Sequence, residues 1–250
     1  MVDNIKAPSR IKEIARSFLN IFYPNFCFVC KRYLHIDGEL ICNFCWQAIE
    51  RNTPPFCHRC GVHISKNRCS NCSKKLFHFD RLWSACIYEG VISELTYLFK
   101  YRSYDFLGKK LSKILIDFIK EFNIPINLID LITPIPLHPK KLREREFNQS
   151  EILAKELARE FNLKLSLRNL IRTRDTKPQV LLPQKERLQN IKDAFDVKER
   201  AEFEDKNILL VDDVSTTGST LSEASYILKK AGARQVFCLT LARTKDENST

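Results

Sequence analysis

No stretch of this 250-residue chain is apolar for long enough to cross a membrane: hydrophobic residues make up 44% of it, but charge interrupts them everywhere, well short of the roughly 18 to 20 a spanning helix needs. The first residues, "MVDNIKAPSRIKEIARSFLNIFYPNFC", carry Asp3 and lack the uninterrupted apolar core of a secretion signal. Neither a membrane span nor a cleaved leader is expected, and the cytoplasm is the expected compartment. Scattered cysteine is lacking too. Eight of the ten cysteines fall into four CxxC pairs between residues 27 and 72, a pattern that argues against the disulfide framework of a small secreted domain and for metal.

The pairs are "CFVC" (Cys27, Cys30), "CNFC" (Cys42, Cys45), "CHRC" (Cys57, Cys60) and "CSNC" (Cys69, Cys72), separated by eleven, eleven and eight residues. Two CxxC turns supply four thiolates at tetrahedral geometry, which closes the shell of a structural zinc ion and leaves no position for a catalytic water. Two zinc ions are therefore expected. Spacing leaves their pairing open, either consecutive or interleaved. A redox dithiol and an iron–sulfur cluster are the competing chemistries, and four pairs exceed what the first requires. Gly61, directly after Cys60, suits a tight metal-binding turn. Cys86 and Cys238 stand in apolar, strand-like runs and are expected to be buried packing residues.

The formal net charge is +11. Residues 1–78 carry 12 lysines and arginines against 5 acidic residues, and the remainder 29 against 25. Eight thiolates holding two divalent ions lower the total to about +7. A positive surface favours polyanions such as nucleic acid.

The chain is expected to divide into residues 1–78, an N-terminal helix with two metal ribbons, and residues 79–250, an α/β domain. In the first part Ser9 is a helix cap for a stripe of Ile11, Ile14, Ala15, Phe18, Leu19 and Phe22. That helix is expected to pack on the ribbons; its polar face, with Arg10, Lys12 and Arg16, also suits peripheral contact with a membrane surface. The second part alternates strands ("LWSACIYEG", "NLIDLITPIP", "NILLV", "QVFCLTLA") with helices over 91–101, 105–122, 147–161 and about 218–231, with a polar stretch at 171–193. Such alternation predicts a mostly parallel sheet covered on both faces, with ligands at the carboxyl ends of the strands.

The stretch "ILLVDDVSTTGST" places Asp212 and Asp213 at the end of an apolar strand, where it is expected to meet solvent. Two adjacent carboxylates need hydroxyl donors or a cation to offset repulsion and desolvation. After them Ser215, Thr216, Thr217, Gly218 and Ser219 offer backbone N–H groups and hydroxyls at the start of the next helix, an arrangement suited to phosphate. Vicinal hydroxyls beside a phosphate describe a ribose 5-phosphate.

This stretch resembles the loop of type I phosphoribosyltransferases that binds phosphoribosyl pyrophosphate (PRPP), in which two acidic residues hold the ribose hydroxyls and the following loop wraps the 5-phosphate. "PIPLHPKKLREREFNQSEILAKELA" resembles the signature PxPLHxxRxxxRGFNQ of the ComF family, and the four CxxC pairs match that family's N-terminal double zinc ribbon. The resemblance runs from about residue 20 nearly to the end, with the three blocks in family order. It implies a type I phosphoribosyltransferase fold, two structural zinc ions, PRPP with Mg²⁺, and a role in handling single-stranded DNA during natural transformation.

The second block also reads on its own terms. Pro134 and Pro136 stiffen a strand end, and His138, Lys140, Lys141, Arg143 and Arg145 crowd a short loop with cations suited to a pyrophosphate. The resemblance makes this the pyrophosphate loop, with Arg145 the best match and Asn148 and Gln149 completing the motif. A third cationic patch, "RTRDTKPQVLLPQKERLQN", holds Arg172, Arg174, Lys177 and Arg187 in a long lid-like loop; Arg172, Arg174, Thr176 and Gln179 match the family's RxRxTxxQ pattern. Two residues depart from the family: Glu146 and Ser103 stand where glycine is usual, and Glu146 brings a negative charge to the pyrophosphate loop.

Two functions follow. In one, the protein handles single-stranded DNA, with Phe147, Tyr101 and Tyr104 available for stacking. In the other, it is an enzyme in which a nitrogen nucleophile displaces pyrophosphate from PRPP, while Asp212 and Asp213 stabilise charge on the ribose ring. A separate, blander reading makes the ribbons a docking platform for a helicase-like uptake ATPase. No general base and no signature for a particular acceptor base is identifiable.

Overall fold

The computed structural model describes residues 25–34, 39–64, 69, 71–72, 75–101, 104–176 and 190–245. The expected N-terminal helix, Ser103, Lys177, Gln179 and Arg187 lie outside the described residues. The compact units are residues 1–49 and 50–250. The second ribbon, expected within residues 1–78, shares a compact unit with the sheet.

In the first unit, Cys27–Cys30 forms a tight turn closed by Cys27 N–H to Arg32 O (2.8 Å) and Lys31 N–H to Cys27 O (3.0 Å). Phe26 and Tyr33 form an antiparallel bridge across it. Cys42 caps α1 (Asn43–Gln47), its sulfur accepting the Cys45 N–H. Among the described residues of this unit the buried apolar side chains include Leu34, Ile41 and Ile49.

The second unit is built on a five-stranded sheet. Its strands are β1 (Arg81–Ile87), β2 (Leu131–Pro134), β3 (Lys164–Leu165), β6 (Asn207–Ser215) and β7 (Gln235–Arg243), in the order β1-β7-β6-β2-β3. Every pairing is parallel. Parallel sheets need both faces covered, which is why the central strands read as continuous apolar runs. Ile208 and Leu210 of β6 and Val236 and Cys238 of β7 share one core with Leu221, Ala224 and Leu228 of α6 (Ser219–Lys230). Cys57, Cys60 and Val62 of the second ribbon belong to the same core. Side chains alternate along a strand, so Leu209 and Val211 turn the other way. The covering elements also include α2 (Gly90–Tyr101), α3 (Leu107–Glu121) and α5 (Gln149–Phe161); α3 and α5 pack together, α3 on β1 and β7 and α5 on β2 and β6.

Three features depart from the sequence reading. The strand "NILLV" continues through both aspartates to Ser215, because β7 runs alongside it to Arg243 and keeps the ladder going. The carboxylates therefore sit on the strand rather than beyond it, and Asp213 is only 7% exposed. The basic segment expected as a loop is a helix, α4 (Pro139–Arg145), with proline at the position where a missing N–H costs nothing. The polar stretch begins as β4 (Leu170–Arg172), paired antiparallel with β5 (Phe195–Val197). Among the described residues no helix is long and apolar enough to cross a membrane.

Candidate functional site

The eight paired cysteines form two groups, Cys27, Cys30, Cys42 and Cys45, and Cys57, Cys60, Cys69 and Cys72, with the ligand sulfurs of each within 4.8 Å of one another. Grouping is consecutive. Sulfur separations include 3.6 Å for Cys30 to Cys42, 3.7 Å for Cys57 to Cys72 and 3.5 Å for Cys60 to Cys69. A tetrahedron with metal–sulfur bonds of about 2.3 Å has edges of about 3.8 Å, so the donors fit zinc as they stand. Four thiolates on a divalent ion leave a net charge of about −2, which N–H donors offset. Cys42 N–H reaches Cys27 Sγ (3.4 Å), Cys45 N–H reaches Cys42 Sγ (3.4 Å), and the Asn71 amide reaches Cys60 Sγ (3.7 Å). Cys86 and Cys238 are fully buried; burial pushes the Cys86 thiol up to about 11 and Cys238 higher still, so both stay protonated packing groups.

The acidic pair lies at the carboxyl end of β6. Asp213 Oδ2 pairs with Lys100 Nζ at 3.0 Å, and both side chains are largely buried. Asp213 Oδ1 also accepts the Val214 N–H (2.6 Å). Asp212 Oδ1 accepts the Ser150 hydroxyl (2.8 Å) and the Asp213 N–H (2.9 Å). Burial first, and the Asp213 charge second, push Asp212 up to about 7. Near neutrality Asp212 is therefore partly protonated. Burial works against the Lys100 ammonium, but the neighbouring Asp213 outweighs it and holds that pKa above its ordinary value.

Directly after the acids the chain turns into α6. Ser215, Thr217 and Ser219 are buried, and the Thr217 and Ser219 hydroxyls lie 2.7 Å apart. Gly218 caps the helix at φ +77°, and a Cβ there would stand 3.1 Å from the Phe77 ring. A left-handed residue ahead of a 12-residue helix turns backbone N–H groups towards one point, with the helix's positive end behind them.

Three cations converge on this end of the sheet. Lys141 Nζ donates to Thr176 O at 2.7 Å; burial, then Arg172, then Arg145 among other charges, leave its pKa below the ordinary lysine value. Arg172 donates to the Thr176 hydroxyl and lies over the Phe195 ring; burial pulls its pKa down while Asp212 and Asp175 counter. Arg145 stacks over Tyr101 at 5.2 Å and donates to Gln149 Oε1 (3.3 Å). Other basic residues are differently engaged. Lys140 and His138 face Asp175, at 3.5 and 3.9 Å, and His138 also caps α4. Arg143 is exposed, and Arg174 is exposed with its guanidinium on Lys192 O (2.5 Å).

The "FNQS" run after α4 is a set of ties. The Asn148 side chain accepts the Ser150 N–H (3.1 Å), capping α5, and donates to Ile135 O (3.0 Å). Gln149 donates to Phe99 O (3.2 Å). Glu146 closes α4 at φ +66° and is exposed; that left-handed position is where glycine costs least. Sequence reasoning passed over Lys100, Ser150, Asp175 and Phe77. No spacing pattern announces them, since each meets its partner across a long separation in the chain.

Residues 148–249 match the family model described as phosphoribosyl transferase domain, and residues 18–73 match the double zinc ribbon domain. Competence protein F of Haemophilus influenzae is 32% identical over 228 residues, covering 89% of this chain and 98% of its own length. The DNA utilization protein YhgH of Escherichia coli K12 is 29% identical over 222 residues, covering 86% and 96%. Among solved structures, the glutamine phosphoribosylpyrophosphate amidotransferase of B. subtilis is 22% identical with a TM-score of 0.34, over 61% of this chain and 27% of that one.

Proposed function

The chain belongs to the ComF family, and from that premise we propose that it binds PRPP, or a ligand with the same ribose 5-phosphate and pyrophosphate groups, in the service of handling single-stranded DNA. One observation carries the reading: Asp212 and Asp213 stand near the carboxyl end of β6, one residue before the hydroxyl loop Ser215–Ser219 in which Ser215, Thr217 and Ser219 are buried, while Lys141, Arg145 and Arg172 gather at the same end of the sheet. In this reading the carboxylates accept the ribose hydroxyls, the loop and the start of α6 hold the 5-phosphate, and the three cations neutralise the pyrophosphate. Mg²⁺ arrives with the pyrophosphate as part of the substrate and lowers its charge. Lys100, now on Asp213, gives way to the ribose hydroxyls or turns to the pyrophosphate.

Calorimetric titration of the zinc-loaded chain with PRPP and Mg²⁺ tests the ligand. Asp213→Asn and Arg172→Met are each expected to weaken binding about tenfold or more, as loss of a charged hydrogen-bond partner does. No heat of binding to the intact chain at millimolar ligand would refute the reading. Pyrophosphate release in the same samples, screened against bases and amines and lost in Asp213→Asn, would assign transfer chemistry in addition to binding. Binding to an unstructured oligonucleotide, weakening steeply with salt, tests the DNA role; its absence at low salt would remove that role and leave the ligand site intact.

A further inference from the structure

The second ribbon is wired into the proposed phosphate loop by two routes. One runs through β7. Arg243, its last residue, is 3% exposed; Nη1 donates to the Cys60 carbonyl at 2.7 Å, and its backbone stands beside Ser215, the first residue of the loop. The other runs through the segment after Cys72. Arg59, between the two cysteines of the ribbon's first turn, donates to the Phe77 carbonyl at 2.6 Å. The Phe77 ring lies against Gly218, and the neighbouring His78 bonds Ser222 of α6 through its N–H and its ring (3.1 and 3.2 Å). The ribbon is itself clamped to the sheet: Asn52 donates to both Gly61 O and Ser84 O at 3.0 Å, and Leu82 N–H donates to Arg59 O at 2.7 Å.

We infer that Arg243 and Phe77 are positioning residues through which the metal group Cys57, Cys60, Cys69 and Cys72 sets the shape of the Ser215–Ser219 phosphate loop. The inference rests on the proposed ribose 5-phosphate site and adds a determinant of it. The physical case is one of shared parts. The turn whose carbonyl Arg243 holds contains two of the metal ligands, Cys57 and Cys60, so loss of the metal is expected to loosen both the Cys60 carbonyl and the Arg59 clamp on Phe77. Phe77 packs where Gly218 has no side chain, so the ring sets how far the loop can sink towards the core. Packed cores pass such shifts on because they have no slack. The group at Cys27, Cys30, Cys42 and Cys45 belongs to the other compact unit.

Coupling of two binding events is reciprocal, so one measurement reads it from either end. The zinc affinity of the second site is determined at equilibrium against a chromophoric chelator, in the full chain with Cys27→Ser and Cys30→Ser so that only that site reports, with and without saturating ribose 5-phosphate. The expected result is about fivefold or more tighter zinc retention with the sugar phosphate, the lower range of measured couplings. Arg243→Met is expected to remove most of that gain while the zinc-loaded chain still binds pyrophosphate; Phe77→Leu, a gentler change, is expected to reduce it. Ribose 5-phosphate that binds without changing zinc affinity would overturn the inference and leave the ligand site standing. Ribose 5-phosphate that fails to bind the intact zinc-loaded chain would overturn both.

Discussion

Lys31 and Gly61 occupy the same place in the two ribbons, directly after the second cysteine of the first turn, with φ of +61° and +67°. The hydrogen bonds around them also match: Cys27 N–H to Arg32 O and Cys57 N–H to Val62 O, Lys31 N–H to Cys27 O and Gly61 N–H to Cys57 O. What differs is the surroundings. Lys31 is exposed and folds its ammonium back on to Phe28 O (2.7 Å), whereas a Cβ on Gly61 would stand 2.2 Å from the Leu82 carbonyl oxygen. The turn tolerates a side chain, and β1 forbids one. The same contrast recurs at the proposed ligand site, where exposed Glu146 holds φ +66° and Gly218, against Phe77, holds φ +77°. Left-handed backbone alone does not select glycine here; a close neighbour does.

Gly61→Ala sets a methyl into a backbone carbonyl that cannot move without shifting β1. Denaturant unfolding is expected to show a loss of about 3 kcal/mol or more, at the high end for a single substitution. The ribbons and the acidic pair also part company in charge, because metal fixes the thiolates while Asp212 is free to titrate. Its pKa, raised to about 7, means that the native state keeps a proton the unfolded chain has released. Stability from this group is present below about pH 4 and is lost as pH rises to about 7, by on the order of 2 to 4 kcal/mol. Asp212→Asn is expected to flatten that fall in the unfolding free energy; an unchanged slope would place the titration elsewhere. Gly218→Ala is expected to cost about 1 to 2 kcal/mol and to weaken ribose 5-phosphate binding, read by calorimetry. Glu146→Gly reverses the sign, with a gain of about 1 kcal/mol in melting experiments from relief of a left-handed glutamate. Lys31→Gly is the smallest, a gain of a few tenths of a kcal/mol, since removing the ammonium's bond to the Phe28 carbonyl offsets part of the relief.

Much of this was legible in the sequence because its causes are local. Four CxxC pairs can close two tetrahedra, and apolar runs such as "NILLV" and "QVFCLTLA" have few folds other than a buried parallel sheet. The ComF resemblance assigned the fold, and the aspartates and hydroxyl loop stand together at a strand end as their adjacency required. What stayed hidden depends on distance. Nothing near Lys100 or Ser150 reveals that they meet Asp213 and Asp212 across more than a hundred and some sixty residues. β3 is two residues long, and β4 and β5 are three each, too short for a periodicity to emerge. The extension of β6 through charged residues is set by its neighbour β7, a context no single segment records. Consecutive pairing of the cysteines was equally out of reach, because the spacings fit either arrangement.

The position of β1 at one edge of the sheet bears on how the molecule is made. Its partner is β7, the last strand among the described residues, which follows it by roughly 150 residues; at 5–20 residues per second a ribosome needs about 8 to 30 seconds to supply it. Until then β1 has no partner in the sheet, and the Leu82 carbonyl that defines the seat of Gly61 is not yet in place. Nascent chains stopped before residue 235 are expected to hold a protease-resistant first ribbon and a cleavable second one, so that the two metal groups, so alike in their turns, mature at opposite ends of synthesis.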